Sequence, residues 1–232
     1  MPAHNEADFL MDSVTEIVAG LTQEAEDYTI LVVENGSTDK TMDVIQELVR
    51  SVPQFRYVTL PVADYGTALR TGVLEAQGDQ VVIFDVDFFD LDFLQQAVDW
   101  FSSPDPPAII VGSKRAVGAH DARPFTRRLA TATFTWLLRT VLGLKVHDTH
   151  GIKALHRPQI AELAAQCHSG RDLWDTELIL RAERAGLRVV EVPVSVEERR
   201  PARSSIFQRV PRTLWGMAKL RVSLWRHSGR TR

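Results

Sequence analysis

The 232-residue sequence contains one cysteine, Cys167, so an intrachain disulfide framework is impossible and a reducing compartment is indicated. It has no run of about twenty uncharged apolar residues, which argues against a transmembrane helix. Glu6, Asp8 and Asp12 occupy positions where a signal peptide would be cationic and then apolar. We therefore expect a cytoplasmic protein. The composition, 44% hydrophobic and 25% charged, is ordinary for a globular domain.

Negative charge is missing from the end of the chain. From Arg199 to Arg232 there are ten Lys and Arg residues and no Asp or Glu. Within residues 211–226, tryptophans alternate with cations spaced seven apart, which favours an amphipathic basic helix on an anionic membrane surface. Ordinary core packing is the alternative, and nucleic acid is disfavoured. We expect a domain at 1–198, a basic segment at 199–232, and a peripheral position on the inner membrane face.

Apolar runs that alternate with helical patterns predict an α/β fold. Strands are predicted at 29–33, 56–60, 81–84 and 108–112, and helices at 38–50, 65–76 and 91–101. Helices between successive strands are typical of βαβ units and a mostly parallel sheet, here a Rossmann-like first half. The second half is predicted to hold helices at 129–144, 158–167 and 175–185. A strand at 187–196 contains Pro193, which favours an edge position.

Asp85 and Asp87 follow the apolar run at 81–84 with one residue between them. Two carboxylates at the carboxyl end of a buried strand lie where ligands bind in open α/β sheets. They repel each other unless a cation neutralises them, and carboxylate oxygens suit Mg²⁺ or Mn²⁺ bridging to phosphates. The pair therefore indicates metal-assisted phosphate chemistry, with a solvated acidic loop as the alternative.

Three further segments precede this pair at predicted strand ends, and together they carry a resemblance. They read PAHNE (2–6), ENGSTDKT (34–41) and GTALRTGVLEAQGD (66–79), followed by DVD (85–87). In the second half, Asp148–Lys153, Trp174–Leu178 and Glu191–Val194 match further motifs. This series resembles family 2 glycosyltransferases of GT-A fold, and most of all dolichyl- and polyprenyl-phosphate sugar synthases.

The resemblance implies a set of roles. Asp85 and Asp87 would bind the metal, with Asp87 counted among the catalytic residues, and Arg203 and Ser205 would lie where the family closes a loop on phosphates. Independently of the resemblance, Lys114 after a strand end and Arg127 before an apolar helix are candidate anchors for an acceptor phosphate. The residues implied at the nucleotide are Pro2, Ala3, His4, Asn5, Glu6, Glu34, Asn35 and Asp85.

Four positions depart from the family pattern. Only Met1 precedes PAHNE, where the family has a strand, so either the true start lies upstream or the sheet finds another edge. Asn35 replaces an acid, and an amide suits uracil better than guanine. Phe89 stands where some relatives place a Gln metal ligand, so we expect weak metal binding before the nucleotide arrives. The family's Gly-x-Gly is here Asp64-Tyr65-Gly66.

The acceptor decides whether a base is needed. A polyprenyl phosphate is already an anion, so cations alone would hold it. A hydroxyl acceptor requires a general base, for which Asp148 is the first candidate and Glu177 the second. The sequence thus predicts an inverting transfer of a hexose from a nucleotide sugar, UDP-glucose being favoured, to a polyprenyl phosphate. A soluble hydroxyl acceptor and a non-catalytic nucleotide-sugar binding protein are the alternatives.

Overall fold

The computed structural model describes residues 1–24, 27–114, 138–149, 151–170 and 173–196, with positions 116, 120–121, 133, 136, 215–216 and 218–221. The strands in these ranges are β1 (Pro2–Ala3), β2 (Ile30–Asn35), β3 (Phe55–Leu60), β4 (Gln80–Ile83), β5 (Ile109–Ser113), β6 (His120–Asp121), β7 (Lys153–His156), β8 (Val189–Pro193) and β9 (Ser195–Val196). The helices are α1 (Leu10–Glu24), α2 (Thr41–Ser51), α3 (Tyr65–Glu75), α4 (Leu91–Phe101), α5 (Arg157–Gln166) and α6 (Trp174–Arg184).

The strands form a mixed, mostly parallel arrangement, as the sequence predicts. Strands β1, β2 and β3 pair in parallel in that order. A four-strand sheet has the order β4-β7-β5-β8, in which β5 and β8 are parallel. Strand β7 runs antiparallel between β4 and β5, with Lys153 opposite both Ile83 and Val111. Strand β8 lies at the end of this order and closes on Pro193, in agreement with the expected edge strand.

Alternating residues of the central strands enter two separate cores. Ile109 and Val111 of β5 join one cluster of buried apolar side chains, and Ile110 joins the other. Because successive strand residues point to opposite faces, helices cover both sides of the sheet. In the described ranges no helix has the length and apolar character needed to cross a bilayer.

Helix α1 and the strands β1, β6 and β7 were not predicted from the sequence. Helix α1 buries Leu10, Val14 and Ile17, whose spacing of four and three is that of an amphipathic helix and could have revealed it. Strand β7 begins at Lys153, the last residue of a segment that sequence reasoning treated only as a motif.

The first strand is short and pairs with β2. Pro2 and Ala3 lie opposite Val33 and Glu34, and the Met1 carbonyl accepts a hydrogen bond from the Val33 N–H at 2.8 Å. The expectation that a further strand lies upstream of Met1, or that the sheet finds another edge, stays a prediction. The domain boundary at residue 198 also stays one, because residues 197–214 lie outside the described part.

Candidate active site

The turn that carries Asp85 and Asp87 is fixed by its own backbone. The N–H of Asp85 donates to the carbonyl of Phe88 at 3.1 Å, and the N–H of Phe88 donates back at 3.3 Å. Val86 is buried, and its carbonyl accepts a hydrogen bond from Ser13 Oγ of α1 at 2.7 Å. With Val86 held in the core, the two partly buried carboxylates flank it at the end of β4.

The carboxylate of Asp85 lies in a dense group of charges. The Tyr65 hydroxyl donates to Asp85 Oδ1 at 2.8 Å. Burial raises the pKa of Asp85, and the charges of Asp87 and Asp175 add to the rise, while the Tyr65 hydrogen bond and Lys153 oppose it. Burial, and then the Asp85 charge, raise the pKa of Tyr65 well above its usual value, so the hydroxyl keeps its proton and stays the donor.

This pair of carboxylates fits a divalent metal whose other ligands are not protein side chains. Asp85 and Asp87 supply hard oxygen donors, and their mutual repulsion is what a cation would relieve. Within the described residues, no cluster of three or more His, Cys, Asp or Glu side chains forms a metal cage. A metal at this turn would thus take water or substrate phosphate as its remaining ligands, as Mg²⁺ sites do. Phe89, at the position where some relatives place a Gln metal ligand, lies in the core beside Phe84.

The PAHNE segment is tied to the turn after β2. Asn5 adopts a positive φ of 55°, and its Oδ1 accepts a hydrogen bond from the Thr38 N–H at 2.8 Å. The N–H of Asn5 donates to Ser37 Oγ at 3.0 Å, and the N–H of Glu6 donates to Thr41 Oγ1 at 2.8 Å. The structure thereby brings together the two loops that the sequence predicts at the nucleotide.

The side chains of Glu34 and Asn35 are buried and engaged inside the protein. Glu34 Oε1 accepts a hydrogen bond from the Ser37 N–H at 2.5 Å. Asn35 Oδ1 accepts one from the Asp64 N–H at 2.9 Å, and His4 Nδ1 lies 2.9 Å from the Asn35 carbonyl. Because the amide oxygen of Asn35 already holds the Asp64 backbone, the sequence argument that this amide prefers uracil is weakened.

Lys114 and Asp148 lie together beside the same strand end. The N–H of Lys114, the residue after β5, donates to Asp148 Oδ2 at 3.4 Å. Lys114 Nζ lies 5.8 Å from the centroid of the Phe88 ring, next to the turn of Asp85 and Asp87. Lys114, which is predicted to hold phosphate, thus contacts a ring in the same turn as the carboxylates that are predicted to bind the metal.

Two glutamates hold the segment that leads to Asp148, and sequence reasoning missed their role. Glu183 accepts hydrogen bonds from the N–H groups of Lys145 and Val146 at 3.0 to 3.2 Å. Glu191 accepts them from His147 and Asp148 at 3.0 and 3.2 Å, and lies 2.9 Å from His147 Nδ1. Four consecutive backbone donors are thereby satisfied. The Glu-Val-Pro-Val motif was the one signal for Glu191.

Glu177, the second candidate base, has both oxygens occupied. Oε2 accepts hydrogen bonds from the N–H groups of His168 and Ser169 at 3.0 and 2.7 Å. Oε1 accepts from Arg181 Nε at 2.8 Å, with Nη2 at 2.7 Å. These contacts anchor the loop after α5, and none of them supports a role for Glu177 as a base.

A buried ion pair lies behind the site and was not predicted. Lys153 Nζ is 3.0 Å from Asp175 Oδ2 and donates to the Gly151 carbonyl at 2.6 Å. Both side chains are buried. The Lys153 charge acts on Asp85, so the pair belongs to the electrostatics of the candidate metal site.

Other predicted residues lie outside the described part of the chain. These are Arg127, Arg203 and Ser205, so their predicted phosphate contacts stay predictions. Of the predicted C-terminal helix, positions 215–216 and 218–221 are described and helical.

Comparison with known sequences identifies relatives along most of the chain. A family model described as Glycosyl transferase family 2 matches residues 1–162. Glycosyltransferase AglD of Haloferax volcanii is 30% identical over 85% of this chain, which spans 32% of AglD. An uncharacterized glycosyltransferase of Mycobacterium tuberculosis is 32% identical over 89% of this chain and 87% of its own length. A dolichyl-phosphate beta-glucosyltransferase of Trichomonas vaginalis is 28% identical over 85% of this chain and 63% of its own length.

Solved structures share the fold. The mannosyltransferase PcManGT from Pyrobaculum calidifontis, in complex with GDP-mannose and Mn²⁺, has a TM-score of 0.61 at 22% identity, covering 91% of this chain and 59% of that one. Glucosyl-3-phosphoglycerate synthase from Mycobacterium tuberculosis, in complex with Mn²⁺ and UDP-glucose, has a TM-score of 0.65 at 21% identity, covering 93% and 76%. The fold is GT-A, as the sequence predicts. With the family model matching more than half of its length, the chain belongs to glycosyl transferase family 2.

Proposed function

We propose that this glycosyltransferase moves a hexose, with UDP-glucose as the favoured donor, to a polyprenyl phosphate with inversion at the anomeric carbon. The observation that carries the proposal is the presence of two kinds of charge at the carboxyl ends of β4 and β5. Asp85 and Asp87 form a mutually repelling carboxylate pair suited to a metal, and Lys114 lies beside them over Phe88. Such a site suits a phosphate nucleophile that meets a metal-bound diphosphate.

The nucleotide-sugar donor would be held by three segments: the PAHNE loop, the turn after β2 that is hydrogen-bonded to it, and the Asp85–Asp87 turn. Asp85 and Asp87 are the residues that would bind Mg²⁺ or Mn²⁺, and the metal, when bound, supplies Lewis-acid stabilisation of the departing diphosphate. Pro2–Glu6 and the Glu34-Asn35 turn lie at the ends of β1 and β2, where the nucleoside is expected in this type of sheet. The glucosyltransferase relatives support glucose as the sugar.

The acceptor needs cations rather than a base. A phosphate oxygen attacks the anomeric carbon, the bond from that carbon to the diphosphate breaks, and no proton changes place. Lys114 would hold the acceptor phosphate, and Arg127, Arg203 and Ser205 are predicted to join it. A lysine ammonium serves here as a point charge for phosphate. The dolichyl-phosphate relatives support this class of acceptor.

Exposed aromatic and cationic side chains support a peripheral position on the membrane. Trp136 and Trp215 are 65% and 56% exposed, and Lys219 Nζ lies 4.3 Å from the centroid of the Trp215 ring. Leu220 is buried in the core, so this helical piece has one face inside and one face outside. Exposed Trp beside Lys is typical of interfacial anchors on anionic lipid.

A hydroxyl acceptor is the second candidate function. Asp148 is buried beside Lys114, so a carboxylate is present at the same strand end to act as a base. Glu177, the other base candidate, has both oxygens in contacts that anchor a loop.

The test supplies the protein with polyprenyl phosphate in vesicles, Mn²⁺ and a panel of radiolabelled UDP- and GDP-sugars. We expect a labelled lipid from UDP-glucose that depends on Mn²⁺. Transfer in the absence of lipid, to a soluble hydroxyl compound such as phosphoglycerate, would favour the second candidate. Absence of a lipid product from every donor would overturn the polyprenyl phosphate proposal.

A further inference from the structure

Tyr65 makes a contact that the family resemblance does not explain. It lies in the middle of Asp64-Tyr65-Gly66, one of the departures from the family pattern, and its hydroxyl donates to Asp85 Oδ1 at 2.8 Å. We propose that Tyr65 is a positioning residue that orients Asp85 for the metal and nucleotide. This inference rests on the proposed function.

The hydroxyl is held by a rigid part of the fold. Tyr65 is the first residue of α3, whose N-cap residue Asp64 accepts a hydrogen bond from the Thr67 N–H at 2.8 Å. The N–H of Asp64 is in turn held by Asn35 Oδ1 at 2.9 Å. The Tyr65 ring packs against the buried core cluster of α3 and β5. The position of the oxygen is therefore fixed from both the backbone and the ring.

The contact restricts what Asp85 can do. One carboxylate oxygen accepts the hydrogen bond from Tyr65, which restricts rotation of the group, and the other oxygen is the one that would be offered to a metal. The backbone of Asp85 is already locked by the two hydrogen bonds to Phe88. A ligand that is oriented before the metal arrives loses less entropy when the metal binds, and hydrogen-bond partners of metal ligands support affinity for this reason.

Tyr65→Phe removes the hydrogen bond and keeps the ring. Tyr28→Phe is the matched control, because its hydroxyl is buried and has no hydrogen-bond partner among the described residues. Mn²⁺ affinity is measured by paramagnetic resonance with saturating UDP, and in parallel with GDP, without acceptor. We expect about tenfold weaker Mn²⁺ binding in Tyr65→Phe, the usual loss for a partner of a metal ligand. We expect less than about a twofold change in Tyr28→Phe.

Each outcome decides a separate question. Mn²⁺ affinity of Tyr65→Phe within about twofold of the wild type, or tighter, would overturn the positioning role and leave the proposed function standing. A wild-type protein that binds no Mn²⁺ with either nucleotide would overturn both. Thermal melting without metal checks the fold. Weaker Mn²⁺ binding at an unchanged melting temperature supports positioning, whereas weaker binding together with a lowered melting temperature of Tyr65→Phe contradicts it.

Discussion

Lys153 and Asp175 form a buried ion pair in which Nζ lies 3.0 Å from Oδ2, with both side chains almost fully removed from water. The pair joins β7 to the first turn of α6 behind the carboxylate turn. The Lys153 charge offsets part of the negative charge around Asp85, whereas the Asp175 charge adds to it.

Lys153→Met should strongly destabilise the protein. The change leaves Asp175 as a buried charge without its cation, and breaking a buried pair by removal of one partner costs about 3–5 kcal/mol. Urea unfolding monitored by circular dichroism measures the free energy of unfolding. The control is Asp105→Asn, which breaks the exposed contact with Arg188 at 3.4 Å and should cost less than about 1 kcal/mol. Equal losses in the two variants would contradict a buried, desolvated pair.

Asp87→Asn should abolish most of the activity and leave the fold intact. Loss of a direct metal ligand removes several kcal/mol of transition-state stabilisation, so we expect kcat to fall by about a thousandfold. The measurement is the rate of labelled lipid formation at saturating Mn²⁺. Asp92→Asn is the matched control, since Asp92 is exposed in the first turn of α4, and its rate should stay within about twofold of the wild type. A fully active Asp87→Asn would exclude this turn as the metal site.

Lys114→Met should weaken binding of the acceptor and leave binding of the donor unchanged. Lys114 Nζ lies over Phe88 of the Asp85–Asp87 turn, so its loss should raise KM for polyprenyl phosphate by about tenfold, the equivalent of one charge-assisted contact of about 1.4 kcal/mol. KM for the nucleotide sugar should stay within about twofold. Lys145→Met, at an exposed position, is the control. A rise confined to the donor KM would place Lys114 at the diphosphate instead.

The elements that local patterns encode were predictable from the sequence. The apolar run before Asp85, and the alternation of strands and helices up to Ser113, gave β2 to β5 and α2 to α4 to within three residues. The grouping of PAHNE with the turn after β2 followed from the parallel strands β1 and β2, which end at one edge.

The contacts that set the electrostatics of the site were not predictable, because they depend on contacts between segments that are far apart in the sequence. Strand β7 enters antiparallel between β4 and β5, and this register alone brings Lys153 next to Ile83 and behind Asp85. No local period encodes that choice. Tyr65 was visible as a departure from the family pattern, yet its contact with Asp85 required the packing of α3. Glu177 was predicted as a base, but its partners in the loop after α5 could be identified only in the fold.

Asp85→Asn should stabilise the metal-free protein at neutral pH while it removes activity. Burial raises the pKa of Asp85 in the folded state, so the folded protein holds this proton more tightly than the unfolded chain does. The favourable contribution of the group is then fully present below its unfolded pKa of about 3.9, and it is lost as pH rises through the raised folded value. At neutral pH the ionised carboxylate costs stability, and an amide avoids that cost.

Melting temperatures measured in EDTA from pH 4 to pH 8 check the sign of this effect. The Asp85→Asn variant should melt above the wild type at pH 7.5, and the gap should close toward pH 4, where Asp85 gains its proton. Because the two carboxylates repel, Mn²⁺ with UDP should raise the melting temperature of the wild type and have little effect on the variant. The exposed Asp92→Asn change should show no such pH-dependent gap. A variant that melts below the wild type at pH 7.5 would mean that the contacts with Tyr65 and Lys153 outweigh desolvation at this carboxylate.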